Sequence, residues 1–236
     1  MKIFEKSFRI TASAIIFIVL SLATIFLIVI YWKTENNPWS SILGSLIAGL
    51  IVAIIQFLIA WQDYKENEKL KKLKLIEILY NRNERSWYAN YIAEANNQID
   101  VMGVTAVRLF DHFASTDNNA PETDKVLIRV LEKGIVVRLL LPDEDHLPNN
   151  EKKQDANKVR KKHQDLVKQF PNLEMRYFKH IPAHSIFRVD DECIVGPVFP
   201  ELESKYTPGL RLKNKSPLAS KYIEYFEKEW NNASQA

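Results

Sequence analysis

Two long uncharged stretches near the N-terminus constrain the fold most. Ile10–Trp32 and Trp39–Trp61 each run for 23 residues without a charged side chain. As α-helices rising 1.5 Å per residue, each would be about 34 Å long, enough to cross a hydrocarbon core of about 30 Å. Both are apolar on every side, which excludes amphipathic surface helices. The sequence therefore predicts transmembrane helix 1 over residues 10–32 and transmembrane helix 2 over 39–61.

The first stretch has an alternative interpretation, a cleaved signal peptide, because Lys2, Lys6 and Arg9 form a positive leader. Its apolar run is longer than the usual signal core of about 7–15 residues, and it is followed by KTENNP rather than by a small-residue cleavage site. A membrane span is therefore the preferred interpretation.

The distribution of lysine and arginine predicts the orientation of the spans. The leader (1–9) carries three of these residues, the loop (33–38) carries one, and the segment 62–74 carries five. Positively charged flanks remain on the cytoplasmic side of a membrane. Both termini are therefore expected in the cytoplasm, with the 33–38 loop on the opposite, periplasmic side.

The second stretch also carries a row of small residues. These recur every four positions and share one helix face: Ser41, Ser45, Gly49 and Ala53. Small residues at this spacing let helix backbones approach closely and favour association in lipid. Two interpretations stay open, packing against the first span within one hairpin and packing between copies of the chain.

The average composition conceals this division of the chain. A hydrophobic fraction of 47% and a charged fraction of 26% are typical of a soluble protein. Residues 62–236, however, carry 28 positive and 27 negative side chains, so charge gives no indication of direct nucleic-acid binding. The lone cysteine, Cys193, excludes an intrachain disulfide and a cysteine-based zinc site, and it is expected to be reduced and buried in a strand. No histidine spacing indicates a metal, and no motif indicates a cofactor.

After the spans, residues 62–85 are expected to form a charged helical stalk, helical to about Tyr80. Residues 86–236 have the pattern of an α/β domain. The predicted helices cover about 86–95, 124–133 (ended by Gly134), 151–170 and 217–230, with a loop over 111–121. The predicted strands cover 99–105, 135–141, 173–178, 185–189, 193–198 and 210–213.

This order of elements, and the stretch HSIFRVDDECIVGP at 184–197, resembles one repeat of the phospholipase D fold. The family signature is H-x-K-x4-D, followed by Gly and then Ser or Asn. The resemblance implies that His184 is the nucleophile or general acid and that Asp191 orients a partner histidine. It also implies that Gly196 is the turn glycine of the family.

The chain departs from this signature at two positions. Ile186 stands where the family has its phosphate-binding lysine, and Pro197 stands where it has Ser or Asn. Losing a cation that stabilises the transition state costs several kcal/mol. The cations that could replace it are Lys179, Arg188 and Arg211.

One repeat supplies one histidine, so even an intact motif would need a homodimer to complete a two-histidine site. We therefore predict a degenerate domain to which no catalytic residue is assigned, with His184 and Asp191 as motif remnants. The alternative is a membrane-anchored phosphodiesterase or nuclease that acts through His184 as a homodimer.

The whole architecture is similar to the two-transmembrane effectors of bacterial antiphage systems, in particular the membrane effectors encoded beside retron reverse transcriptases. This resemblance implies a self-associating toxin of the bacterial inner membrane. It also implies that a reverse transcriptase and its RNA–DNA hybrid keep the effector silent. Phage infection would release it to disrupt the membrane and cause abortive infection.

Overall fold

The computed structural model describes residues 2–33, 39–199 and 201–235, without the side chains of 2–13, 66, 69 and 70. The chain divides into two compact units, Met1–Lys69 and Leu70–Ala236. The loop expected on the periplasmic side falls almost wholly at 34–38, outside the described residues.

Two long helices build the first unit, α1 (Lys2–Lys33) and α2 (Ser40–Leu73), the last turn of which passes into the second unit. Ala14–Lys33 and Ser40–Lys65 are long and apolar enough to cross a membrane. Phe17 stacks on Phe57 between the helices, with ring centroids 6.1 Å apart. The other described apolar side chains of these two helices are partly or largely exposed. The chain thus has two candidate membrane helices, which suggest association with a membrane.

An eight-stranded sheet forms the centre of the second unit, in the order β1-β7-β6-β5-β2-β3-β4-β8. Strands β2, β3 and β4 are parallel, and the other pairs are antiparallel. The strands are β1 (Leu75–Leu79), β2 (Gln98–Met102), β3 (Val136–Pro142), β4 (Leu173–Phe178), β5 (His184–Val189), β6 (Glu192–Pro197), β7 (Gly209–Lys213) and β8 (Ser234–Gln235).

Helices cover this sheet on two sides and create two hydrophobic clusters. The first cluster contains residues of α3 (Arg85–Ala93), α4 (Val107–Phe113), α5 (Val126–Glu132) and α6 (Asn150–Leu166). The second contains residues of α7 (Pro217–Asn232). Side chains of a strand alternate between faces, so Leu139 and Leu141 enter the first cluster and Leu140 the second. The α/β prediction is confirmed.

Local signals fix several boundaries where the sequence predicts them. Gly134 follows α5 with φ +77°, a conformation that glycine adopts without steric cost. At the start of α7, the Ser216 side chain accepts a hydrogen bond from the Ala219 amide at 2.9 Å, and Pro217 occupies the first turn.

The predicted helical stalk over 62–85 is wrong beyond Leu73. Lys74 has φ +48°, which ends α2, and Leu75–Leu79 then form edge strand β1 against β7. The Lys213 amide donates to the Lys74 carbonyl at 3.1 Å. The strand forms because β7, more than 130 residues later in the chain, satisfies its backbone, and no local pattern reveals that partner.

The region after β2 also differs from expectation. The predicted strand 99–105 ends at Met102, and α4 begins at Val107 and extends into the predicted 111–121 loop. Ala106, at φ +55°, starts this helix without a side-chain cap, so the usual sequence signal is missing. Leu109, Phe110 and Phe113 bury one face of the helix, and this tertiary packing holds it in place.

Candidate functional site

The parallel strands end together at one edge of the sheet, here called the carboxyl edge and marked by Met102, Pro142 and Phe178. His184 begins β5 at this edge, because β5 runs antiparallel to β2 and Ile186 pairs with Met102. The ring of His184 lies edge-on to Tyr222 and Tyr225 of α7, with centroids 5.4 and 6.1 Å away. The imidazole is half-buried against aromatic rings, and among the described residues no charged side chain pairs with it.

The position of the missing lysine is part of the hydrophobic core. Ile186 is 1% exposed and packs in the cluster beneath α7. An ammonium group there would be desolvated among apolar side chains, at a high free-energy cost. Position 186 therefore serves the packing of the hydrophobic core.

The two motif remnants are not brought together within one chain. His184 starts β5 and Asp191 lies in the turn after its other end, so about 17 Å of strand separates them. Asp191 is exposed, and its carboxylate lies 3.5 Å from the Lys213 ammonium group.

The neighbouring residue, Asp190, is the anchored one. Its carboxylate accepts hydrogen bonds from the amides of Asn96, Asn97 and Gln98 at 2.8 to 3.0 Å, and φ is +49°. Burial alone would raise its pKa, but these backbone hydrogen bonds outweigh burial and lower the pKa. Asp190 thus connects the β5–β6 turn to the start of β2.

Gly196 is not a turn residue, because it lies within strand β6 and is buried. A Cβ atom there would come within 2.6 Å of the Pro208 carbonyl oxygen and 3.3 Å of a guanidinium nitrogen of Arg82. The position requires glycine for space, which a family signature read from sequence does not reveal.

Two of the three cations considered as substitutes for the lysine are engaged elsewhere. Arg188 donates to Asp100 at 3.0 Å, and Arg211 donates to Glu192 at 2.8 Å. Lys179 is exposed just after β4. The two arginines are therefore not free to replace the lysine.

A buried charge network joins the sheet to α7 instead. Asp100 is 1% exposed and accepts from Arg138 at 2.7 and 3.0 Å, and Arg138 also donates to Glu227 at 2.6 Å. Burial alone would lower the pKa of Arg138, but hydrogen bonds to Glu227 and Asp100 raise it above its ordinary value. The same hydrogen bond lowers the pKa of Glu227. These charges hold an interface and are not available to a substrate.

Cys193 is completely buried in β6, as the sequence predicts. Burial raises the pKa of its thiol to about 11, which makes the thiolate scarce at neutral pH. Within the described parts of the chain, no three His, Cys, Asp or Glu side chains lie close enough to hold a metal ion.

In the first unit, the small-residue row lies mainly away from the partner helix. Ser41, Ser45 and Gly49 are exposed, and a Cβ on Gly49 would meet nothing within 4 Å. The adjoining Gly44 faces α1, since its Cβ would lie 3.9 Å from the Tyr31 ring, and Ala53 is half-buried. This placement favours packing of the row between copies of the chain, which stays a prediction.

A cavity at the carboxyl edge was not predicted from sequence. It holds about 300 Å³ and lies between the loop after β2, the N-terminal part of α6 and the described residues of 197–199 and 202–207. Arg82, which is 7% exposed, lies in its wall. Its hydrogen-bond partners Ser185 and Thr207 are more than 100 residues away in sequence, and so no local pattern marks this arginine.

Comparison of the sequence with protein-family models and with curated proteins gives no match. Among solved structures, TrmBL2, an archaeal chromatin protein, is 18% identical with a TM-score of 0.43, over 84% of this chain and 71% of that one. Nuc of Salmonella typhimurium, a phospholipase D family member, is 15% identical with a TM-score of 0.44, over 68% of this chain and 96% of that one. NucT from Helicobacter pylori is 12% identical with a TM-score of 0.42, over 68% and 98%. Structural neighbours thus include a phospholipase D family member, but likenesses at these TM-scores carry no conclusion about activity or substrate.

Proposed function

We propose that this chain is a membrane effector of a bacterial antiviral defence system, in which the two-helix hairpin disrupts the membrane and the sheet domain controls it. The observation that carries the proposal is the exposed apolar surface of α1 and α2. Leu22, Phe26 and Ile59 are 61%, 65% and 58% exposed. In water this surface would be costly, whereas in lipid it is the expected exterior of a span.

The proposed topology follows from charge. Residues 10–32 and 39–61 are the spans in an inner membrane, and both termini and the sheet domain are cytoplasmic. The lysine-rich segment after the second span supports this orientation, because positive flanks remain on the cytoplasmic side.

The exposed row of Ser41, Ser45 and Gly49 supports self-association in the membrane. Copies that associate through this row would bring several hairpins together, which a membrane-disrupting effector requires. By resemblance to retron effectors, we propose that a reverse transcriptase with its RNA–DNA hybrid holds the chain silent until phage infection. A silencing partner must bind the inactive state more tightly than the active state, since equal affinity would shift nothing.

The rival function, a phosphodiesterase or nuclease that acts through His184 in a homodimer, has weaker support. The lysine position is a buried isoleucine, His184 packs edge-on to two tyrosines, and Asp191 lies at the other end of β5. Position 186 therefore cannot supply the cation that stabilises a phosphodiester transition state.

The test is induced expression of the full chain without other defence components, with uptake of a membrane-impermeant dye as the measurement. We expect uptake soon after induction, and equal uptake for His184→Ala. The purified chain should not hydrolyse a phosphodiester substrate. Loss of dye uptake in His184→Ala, together with His184-dependent hydrolysis, would favour the phosphodiesterase and contradict the effector proposal.

A further inference from the structure

The cavity at the carboxyl edge has the features of a ligand site that is separate from the motif remnants. Its wall includes Ser185, Ile186 and Phe187 of β5, whereas His184 and Asp191 are not among the lining residues. A volume of about 300 Å³ lies at the lower end of the range of small-molecule pockets, about 300–1,000 Å³. The cavity also lies outside the carboxyl end of parallel strand β2, where open α/β sheets bind ligands.

Arg82 brings a positive charge into this cavity with only neutral partners. Its guanidinium donates to the Thr207 carbonyl at 3.2 Å, to the Ser185 hydroxyl at 2.6 Å and to the Thr207 hydroxyl. Among the described residues, no carboxylate forms a salt bridge with Arg82, and burial lowers its pKa. Buried charges are normally paired, so an anion that enters the cavity would supply the missing partner.

The fold makes room for this arginine. A Cβ on Gly196 or Gly209 would lie 3.3 Å or 3.2 Å from the Arg82 side chain. Its own backbone is also held, because the Arg82 amide donates to the Lys205 carbonyl at 2.7 Å. The guanidinium is therefore fixed before any ligand arrives, which reduces the entropic cost of binding.

A second guanidinium lies in the same cavity wall. Arg108 donates to the Arg82 carbonyl at 3.2 Å and has no salt bridge within the described chain. The acids in the wall already have lysine partners: Glu203 contacts Lys205 at 2.9 Å, and Asp155 and Glu151 contact Lys152 at 3.5 and 3.8 Å. The two arginines thus remain the cations available to a ligand, although the field of Glu203 reaches Arg108.

The remaining wall indicates what the anion is attached to. Aromatic side chains line the cavity: Tyr88, Phe113, Phe187 and Phe199. Guanidinium groups bind phosphate oxygens in a bidentate manner, and a phosphate monoester carries about −1.5 to −2 charges at pH 7, which two arginines match. Aromatic rings offer stacking surfaces to a nucleobase.

We propose that this cavity binds a nucleoside monophosphate, or a phosphate monoester of similar size, with the phosphate on Arg82 and Arg108 and the base against the aromatic wall. The site does not depend on the proposed membrane function. It gives the sheet domain a small-molecule input that neither the motif remnants nor the hairpin supplies.

The test is calorimetric titration of the purified full chain in detergent with AMP, GMP, CMP and UMP, and separately with inorganic phosphate and with adenosine. At least one nucleotide should bind 10-fold or more tightly than inorganic phosphate, and adenosine more weakly than AMP. Arg108→Gln should weaken nucleotide binding about 10- to 100-fold, the usual effect of losing charge-assisted hydrogen bonds. The matched control is Arg129→Gln, an exposed arginine on α5 paired with Glu122, which should bind as the wild type does.

Arg82→Met is the direct variant, but the arginine is buried and its loss would also disturb folding. Nucleotide binding by Arg108→Gln is therefore the deciding measurement. Binding of none of the four nucleotides at millimolar concentration would overturn the proposal, and so would equal binding by wild type and Arg108→Gln. Because binding is measured on the purified chain, such a failure would leave the dye-uptake test of the membrane function unaffected.

Discussion

At the scale of single residues, the positions that match a catalytic signature lie in different environments, and their neighbour Asp190 makes the structural hydrogen bonds. His184 lies against tyrosines, Ile186 fills the core and Asp191 is exposed, whereas Asp190 caps three backbone amides. The sequence indicated Asp191 as the motif aspartate because the family signature fixes this residue by its spacing from the histidine. Hydrogen bonds from a strand start more than 90 residues earlier favour Asp190.

The aspartate pair gives a matched test. We expect Asp190→Gly, which keeps the positive φ without strain, to lower the free energy of unfolding by about 1–3 kcal/mol through the lost hydrogen bonds. Asp191→Gly should cost less than about 1 kcal/mol, because its contact is a surface ion pair. Chemical denaturation of the full chain in detergent measures both values. Equal losses would contradict the structural assignment.

A second matched pair uses glycines. Gly196→Ala places a Cβ against a backbone carbonyl that cannot yield cheaply, so we expect a loss of about 1–3 kcal/mol. Gly103→Ala adds a Cβ with nothing within 4 Å and should change stability by less than about 1 kcal/mol. The melting temperatures of the two variants compare them directly. A Gly196→Ala variant as stable as Gly103→Ala would show that the strand carries no such constraint.

At the scale of elements, α7 is attached to the sheet by charge as well as by apolar packing. The Arg138–Glu227 pair lowers the pKa of Glu227 below its ordinary 4.5. A lowered pKa in the folded state stabilises the protein above the unfolded pKa, and this stability is lost as the pH falls through the folded value.

Glu227→Gln should therefore destabilise the chain by about 0.5–1 kcal/mol at pH 7, a modest value because the carboxylate is 40% exposed. The difference from the wild type should shrink as the pH falls well below 4.5, where the wild-type carboxylate also becomes protonated. Denaturation at a series of pH values measures this trend. A difference that does not change with pH would rule out the charge pair as its source.

The exposed row on α2 allows a test of how hairpins associate. Gly49→Leu adds a large side chain where small residues would let helices approach, so we expect it to reduce self-association in membranes. Val52→Leu changes another exposed position on the same helix without removing a small residue, and it serves as the control. Crosslinking in native membranes measures both variants. If Gly49→Leu associates as the wild type does, the prediction that this row packs between chains is wrong.

Prediction from sequence succeeded where the signal is local. The apolar run of β3, the Gly134 cap and the Ser216–Pro217 start of α7 each mark an element within a few residues. It failed where an element depends on contacts with residues that are distant in sequence. Edge strand β1 depends on β7, and α4 depends on core packing without a cap. The Arg82 cavity was missed for the same reason, since its partners are distributed along the chain.

At the scale of the whole molecule, the chain combines two apolar helices with an α/β domain. The two motif remnants of this domain lie at opposite ends of strand β5. In our proposal, the sheet domain receives a signal and the hairpin delivers the effect. Replacement of the hairpin is therefore expected to abolish dye uptake, whereas His184→Ala is expected to leave dye uptake unchanged.

The most direct test of the proposed membrane function is dye uptake after residues 10–61 are replaced by an unrelated two-helix membrane anchor. We expect the exchanged chain to reach the membrane with a folded sheet domain, verified by protease resistance, and to cause no dye uptake. The intact chain and its His184→Ala variant should both cause uptake. Dye uptake that persists after the exchange would contradict the proposed function, because the hairpin would then be only an anchor.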